Sequence, residues 1–274
     1  MARLLHTLLL ALATASAATQ TVHAETLTVE TASYDALLQR YVSKSPDGVN
    51  RVDYGKWRAT AADRAALDGF VAAQANQKPS QLTKPQQFAF WANLYNAITL
   101  KVILDGYPTA SIRDIKSKGV WLDPKAFTGP WVEKRLTVEG RELSLDEIEH
   151  KILRPTFADP RVHYSVNCAS FGCPNIGTKA WRAETLDADL DAAARDYINN
   201  PRAVVAGPDG LKVSSIYVWF KSDFGGSDAG VIAHLKKYAS PELAKKLEKV
   251  SSISSDAYSW DLNDTAKAKA GTPG

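Results

Sequence analysis

An α+β fold, a single helix-rich domain packed around a small, mostly antiparallel sheet, is what three features of this 274-residue chain predict. Long segments carry apolar residues at helical spacing. Several short segments alternate apolar and polar residues or flank turn residues, as in strands and hairpins. The two kinds do not interleave in the βαβ order of a doubly wound parallel sheet.

The chain opens MARLLHTLLLALATASAATQTVHAE. Arg3 begins a short apolar run, small residues follow, and Val22-His23-Ala24 fits a cleavage site before Glu25. Residues 1–24 therefore read as a signal peptide, and the expected location is periplasmic or secreted. Residues 25–263 read as the domain, and 264–274, with the low-complexity stretch TAKAKAGTPG, as a disordered tail. Without the leader's single Arg, 32 basic residues face 30 acidic ones. That balance argues against nucleic acid or an anionic membrane surface as partner. No later stretch is apolar and long enough to span a bilayer. No internal repeat, Gly-rich phosphate loop or HExxH zinc signature occurs, and no cofactor is implied.

Asp35 to Val42 reads as a first helix, SPDGVN (45–50) as a turn, and Val52 to Tyr54 as an extended piece. The strongest helix follows Thr83, which forms a capping box with Gln86, and it ends at Gly106 and Pro108. It is apolar on nearly every side, which marks a buried helix. Asn93 and Asn96 share one face of it. They are either buried amides satisfied by neighbouring backbone or a polar stripe facing a site.

Residues 131–143 suggest a hairpin turning at Glu139-Gly140. Ser144 with Glu147 then opens a helix expected to end before Pro155. Leu145, Ile148 and Ile152 mark its apolar face, and Glu149 lies about 40° from Leu145 on an ideal helix. A carboxylate there needs a partner, such as a histidine or arginine from another element. His150 sits at the polar margin. Residues 161–168 alternate as a half-buried strand, with Val162, Tyr164, Val166 and Cys168 on one side and His163 on the other. A helix over about 186–198, a PDG turn at 208–210, strand-like residues 211–220, a loop at 222–228 and helices near 229–239 and 241–249 complete the series.

Both cysteines fall in HYSVNCASFGCPNI, residues 163–176. Three chemistries fit the pair. A disulfide is the ordinary state of two cysteines in an exported protein. A catalytic thiol at Cys168 needs a base and a local positive field. His150 or His163 can serve as base, Glu149 or Asp223 can orient it, and Asn93 or Asn96 can donate to an oxyanion. Strand parity would turn His163 away from Cys168, so His150 is preferred. A zinc site would draw on Cys168, Cys173, His163 and His150, but the spacing matches no recognised finger, so no metal is expected. His234, on a lysine-rich helix, requires no function.

FAFWANLYNAITLKVILDGYP, SLDEIEHKILRP, HYSVNCASFGCPNI, YVWFKSDFGG and YSWDLN, in this order, resemble the bacterial domain of unknown function 547 family over roughly residues 34–263. The resemblance implies that Trp91, Asn93, Tyr95, Asn96, Ala97, Glu149, His150, His163, Asn167, Cys168 and Ser170 are recurring features. It also implies that Cys168 is kept in plant relatives that usually lack a counterpart of Cys173. It implies a fold and a cluster, not a reaction.

Two functions are expected from these readings. One is an exported thiol-dependent hydrolase or acyl transferase acting on an amide, ester or peptide in a small molecule or peptide substrate. The other is a non-catalytic envelope binding or scaffold module held by a structural disulfide.

Overall fold

The computed structural model describes residues 30–115 and 129–269; the expected leader lies outside them. Helix α1 (Ala32–Tyr41) leads into a two-stranded antiparallel ribbon, β1 (Val42–Lys44) and β2 (Asn50–Val52). Two further helices follow, α2 (Tyr54–Ala59) and α3 (Ala61–Ala75). Helix α3 has no counterpart among the expected elements: it is alanine-rich and buries few large side chains, Leu67 and Phe70 among them, so its periodic signal is thin.

Helix α4 (Lys84–Gly106) is the central element. Its capping box at Thr83 and Gln86 forms, and nearly every side chain from Phe88 to Leu104 is buried. Ala97, Leu100, Ile103 and Leu104 pack with α1 and α3. Phe90, Trp91, Leu94, Tyr95 and Ile98 pack on the other side, against the β3 (Leu136–Val138) and β4 (Arg141–Leu143) hairpin and the segment that follows it. An all-round apolar helix is thus explained by two cores, one on each side.

After the Ser144–Glu147 capping box the chain does not stop before Pro155. A single helical turn, α5 (Leu145–Glu147), widens into a π-helical segment (Ile148–Leu153) and continues as α6 (Arg154–Phe157). Pro155 falls in the first turn of α6, where a missing N–H costs little. The π segment carries Glu149 and His150, and such widenings often sit at functional sites.

The expected strand at 161–168 is replaced over its first half by a helical turn, α7 (Val162–Ser165). The alternation misleads because all four residues of α7 are buried, so a face cannot be read from polarity. Helix α8 (Leu186–Ile198) follows, then β5 (Val204–Gly207) and β6 (Gly210–Ser214) around the 208–210 turn. Residues 216–219, expected as strand, form α9 (Ile216–Trp219). Helices α10 (Asp228–Tyr238) and α11 (Pro241–Leu247) complete a third core with Tyr164, Tyr197 and Tyr217.

Strand β7 (Ser255–Ala257) joins β6 in parallel, the one parallel pairing among the described strands. The strands form three separate small sheets rather than one, and the helices build most of the core around them. The fold class is α+β. The expected tail begins with α12 (Thr265–Lys269) behind a buried Asp264; residues 270–274 lie outside the described ones. No described helix is long and apolar enough to cross a membrane.

Candidate functional site

The cysteine loop is seated on the segment after β7. Backbone bonds run from Phe171 N to Asp261 O (2.6 Å), Gly172 N to Ser259 O (2.9 Å) and Asn263 N to Ala169 O (3.0 Å). Gly172 is obligatory there, because a Cβ would lie 2.8 Å from Ser259 O and 2.9 Å from the Tyr258 ring. Asn167 shapes the entrance: its Oδ1 accepts from Ala169 N at 2.8 Å and its Nδ2 donates to Pro174 O at 2.7 Å. Ala169 takes a left-handed conformation, φ 62°, which turns the chain directly after Cys168.

Cys168 and Cys173 are paired, their sulfurs at disulfide distance and their Cα atoms 6.4 Å apart. The sulfurs line a cavity of about 490 Å³, within the range of small-molecule sites. Glu149, His150, His163, Asp146 and Arg113 share its lining, and Trp131, Phe220, Trp219, Tyr258 and Trp260 form an aromatic wall. Trp219 is 49 % exposed at the rim.

Behind the cavity lies a chain of charge. Asp223 receives Nε2 of His163 at 2.8 Å and the Arg154 guanidinium through two bonds, 2.6 and 2.9 Å. The His163 hydrogen bond, followed by that of Arg154, holds the Asp223 carboxyl well below the usual carboxylate range. An ionised carboxylate only accepts, so Nε2 of His163 carries a proton. Nδ1 of His163 has no hydrogen-bond partner among the described residues. Arg154 Nη1 lies 3.1 Å from Nδ1 of His150. A guanidinium only donates, so that nitrogen is the acceptor and His150 keeps its proton on Nε2. Phe220 braces the group, stacked on His163 at 4.4 Å and lying under the Arg154 guanidinium at 4.8 Å.

Glu149 is half-buried, not enclosed, and its partner is neither histidine nor arginine. Its charge acts on Tyr95 of α4, whose phenol is pushed well above its ordinary value by burial first and the Glu149 charge second.

Four of the expected site residues, Cys168, His150, His163 and Glu149, meet at the cavity. Asp223 stands behind His163. Asn93 and Asn96 do not reach it: Asn93 exchanges two bonds with the backbone of Trp181 (2.9 and 2.8 Å), and Asn96 bonds Ser165 O (2.9 Å) and Asn167 N (2.8 Å). Neither is free to serve an oxyanion. Unforeseen members are Arg154, Tyr258 and the aromatic wall, although Arg154, Trp219, Phe220, Tyr258 and Trp260 all fall within the motifs that carry the resemblance. Among the described residues no three of His, Cys, Asp and Glu converge as a metal-binding group.

Fold and site together define a helix-rich α+β protein with a cysteine-floored, aromatic-walled cleft. Residues 79–198 match the model of the family described as Protein of unknown function, DUF547. That stretch runs from just before α4 to the end of α8 and holds Glu149, His150, His163 and both cysteines; Asp223 and Tyr258 lie beyond it. No curated protein and no solved structure matches the chain.

Proposed function

We propose that this chain is a thiol-dependent hydrolase or acyl transferase acting on an amide, ester or peptide, with the reduced Cys168 as nucleophile. The observation that carries the reading is the Asp223–His163 pair at 2.8 Å beside a cavity floored by Cys168. Asp223 fixes the His163 proton on Nε2 and leaves Nδ1 as base, the orienter–base–nucleophile logic of covalent catalysis. The Cys168 thiol passes its proton to Nδ1 of His163 and attacks the carbonyl carbon as thiolate. The leaving amine or alcohol takes that proton and departs, and water or an acceptor nucleophile then cleaves the thioester. His150, held by Arg154 with its proton on Nε2, serves as donor to the developing oxyanion in place of the committed amides. Export, with cleavage before Glu25, belongs to the same proposal, and N-terminal sequencing of secreted protein tests it.

The second reading, a non-catalytic binding module, is favoured by the pairing of the two cysteines. Alkylation of reduced protein separates the two. The enzyme reading expects rapid modification of Cys168 by iodoacetamide, slowed about tenfold or more in His163→Asn. Equal rates in both proteins, no faster than a simple thiol, leave the binding module.

A further inference from the structure

The two sulfurs are not equivalent. Cys173 is 5 % exposed, whereas Cys168 is half-buried at the cavity floor. One backbone donor is specific to the buried sulfur, and two hydroxyls serve both. Cys168 N–H points at Cys173 Sγ (3.0 Å), and the Tyr258 hydroxyl lies 3.0 Å from that sulfur and 3.1 Å from Cys168 Sγ. Ser170 Oγ is 3.1 Å from Cys168 Sγ, 3.5 Å from Cys173 Sγ and 2.6 Å from the Tyr258 hydroxyl. Those two hydroxyls hold two protons. One serves the bond between them, which leaves one for a sulfur.

An independent feature lies behind Cys173. Arg202 donates from Nε to Cys173 O (3.3 Å) and from Nη2 to Asn175 Oδ1 (2.9 Å), and it packs 5.2 Å from the Tyr197 ring centre. Its Nη1 is buried without a hydrogen-bond partner, and no described carboxylate forms an ion pair with it. Its acidic neighbours are engaged elsewhere, Asp47 with Arg51 and Asp196 with Asn175. Burial depresses Arg202 from its ordinary value, and its charge reaches the Tyr258 phenol. A part-buried cation with an unpaired Nη1 is costly while the sulfurs are bonded to each other. An anion at Cys173 would supply what it lacks.

We propose that Cys168–Cys173 is a thiol–disulfide exchange centre in which Cys168 is the sulfur attacked from the cavity and Cys173 the buried leaving thiolate. The co-reactant is an external thiol or protein dithiol entering through the cleft. Its thiolate attacks Cys168 Sγ, a new S–S bond forms to Cys168, and the Cys168–Cys173 bond breaks with its electron pair going to Cys173. The Cys173 thiolate is received by Cys168 N–H, the Ser170–Tyr258 hydroxyl pair and the field of Arg202. A second thiolate, or the other thiol of a dithiol, then attacks the sulfur of the co-reactant and releases Cys168 as thiolate. Overall, two thiols are oxidised to one disulfide and the protein disulfide is reduced to two thiols. Stabilising the leaving thiolate accelerates exchange, because a better leaving thiol departs faster.

The proposal goes beyond acyl transfer and is tested without any acyl substrate. Oxidised full-length protein is treated with reduced glutathione, quenched in acid and mapped by mass spectrometry, while reduction by dithiothreitol is timed. The expected result is a glutathione adduct confined to Cys168, with reduction slowed about tenfold in Arg202→Met and largely restored in Arg202→Lys. Tyr258→Phe, which keeps the ring packing, is expected to slow it as well and serves if the Arg202 variants do not fold. Adducts shared evenly between the cysteines, or variant rates within about twofold of the parent, overturn the assignment. The iodoacetamide experiment fails or succeeds on His163, so the two proposals stand or fall separately.

Discussion

Asp223 Oδ2 lies 2.8 Å from Nε2 of His163 while the same carboxylate takes two bonds from Arg154, so one buried-side anion orients both histidines, His163 directly and His150 through the arginine. Asp223→Asn keeps the shape but removes the charge. The loss expected is about 1–3 kcal/mol, below the range of a fully buried pair because Asp223 and Arg154 are partly exposed. The carboxyl is depressed in the folded state, so its contribution is fully present above the ordinary carboxylate value and is lost as pH falls through the folded one. Urea unfolding at pH 7 and pH 3 should therefore show the advantage of the parent over Asp223→Asn narrowed but not abolished at the lower pH.

His163 and His150 should differ in kind. In reduced protein, His163→Asn is expected to slow Cys168 alkylation about tenfold or more, and His150→Asn by much less, since Nδ1 of His150 is occupied by Arg154. Equal effects of the two substitutions would reject this division of roles.

Asn96→Ala is a stability change. It removes the partner of buried Asn167 N and one of the two partners of Ser165 O, which keeps Trp181 Nε1, and should cost about 1–3 kcal/mol in chemical denaturation. An alanine variant of native stability and lost reactivity would reinstate Asn96 as an oxyanion donor.

His234 is a second pH-dependent group, remote from the cysteines. Burial lowers it to about 4, and its Nε2 sits 2.8 Å from the Tyr164 hydroxyl. The unfolded chain takes up a proton near pH 6.5 that the folded chain refuses until about 4. Stability thus falls as pH drops across that window, by up to about 2–3 kcal/mol. His234→Gln should flatten this part of the stability–pH curve, measured by urea midpoints from pH 7 to 4.

Glu149→Gln should be nearly silent in stability, within about 1 kcal/mol, because the side chain is half-buried and the amide keeps its shape. If Glu149 contacts substrate, the same variant should alter reactivity of the reduced cavity toward a cationic or hydrogen-bonding electrophile, read as the rate of Cys168 labelling.

Local chemistry was legible without a fold. The capping boxes at Thr83 and Ser144, the hairpin at Glu139-Gly140, the all-round apolar helix and the helix over 186–198 all form, because each depends on residues within a few positions of one another. The gathering of Glu149, His150, His163 and Cys168 was also anticipated, with either histidine as base and Glu149 or Asp223 as its orienter. Tertiary packing decided where each side chain lies. The segment 162–165 is buried on all sides, and with no solvent face to mark its period it forms a helical turn that frees His163 from strand parity. Asn93 and Asn96 go to the backbone of Trp181, Ser165 and Asn167 because their buried amides find it first, across separations no local pattern encodes. Arg154, Asp223, Arg202 and Tyr258 reach the site from four distant stretches of chain. Local propensity acts over a few residues, whereas a hydrogen bond between residues 163 and 223 exists only once the core has closed between them.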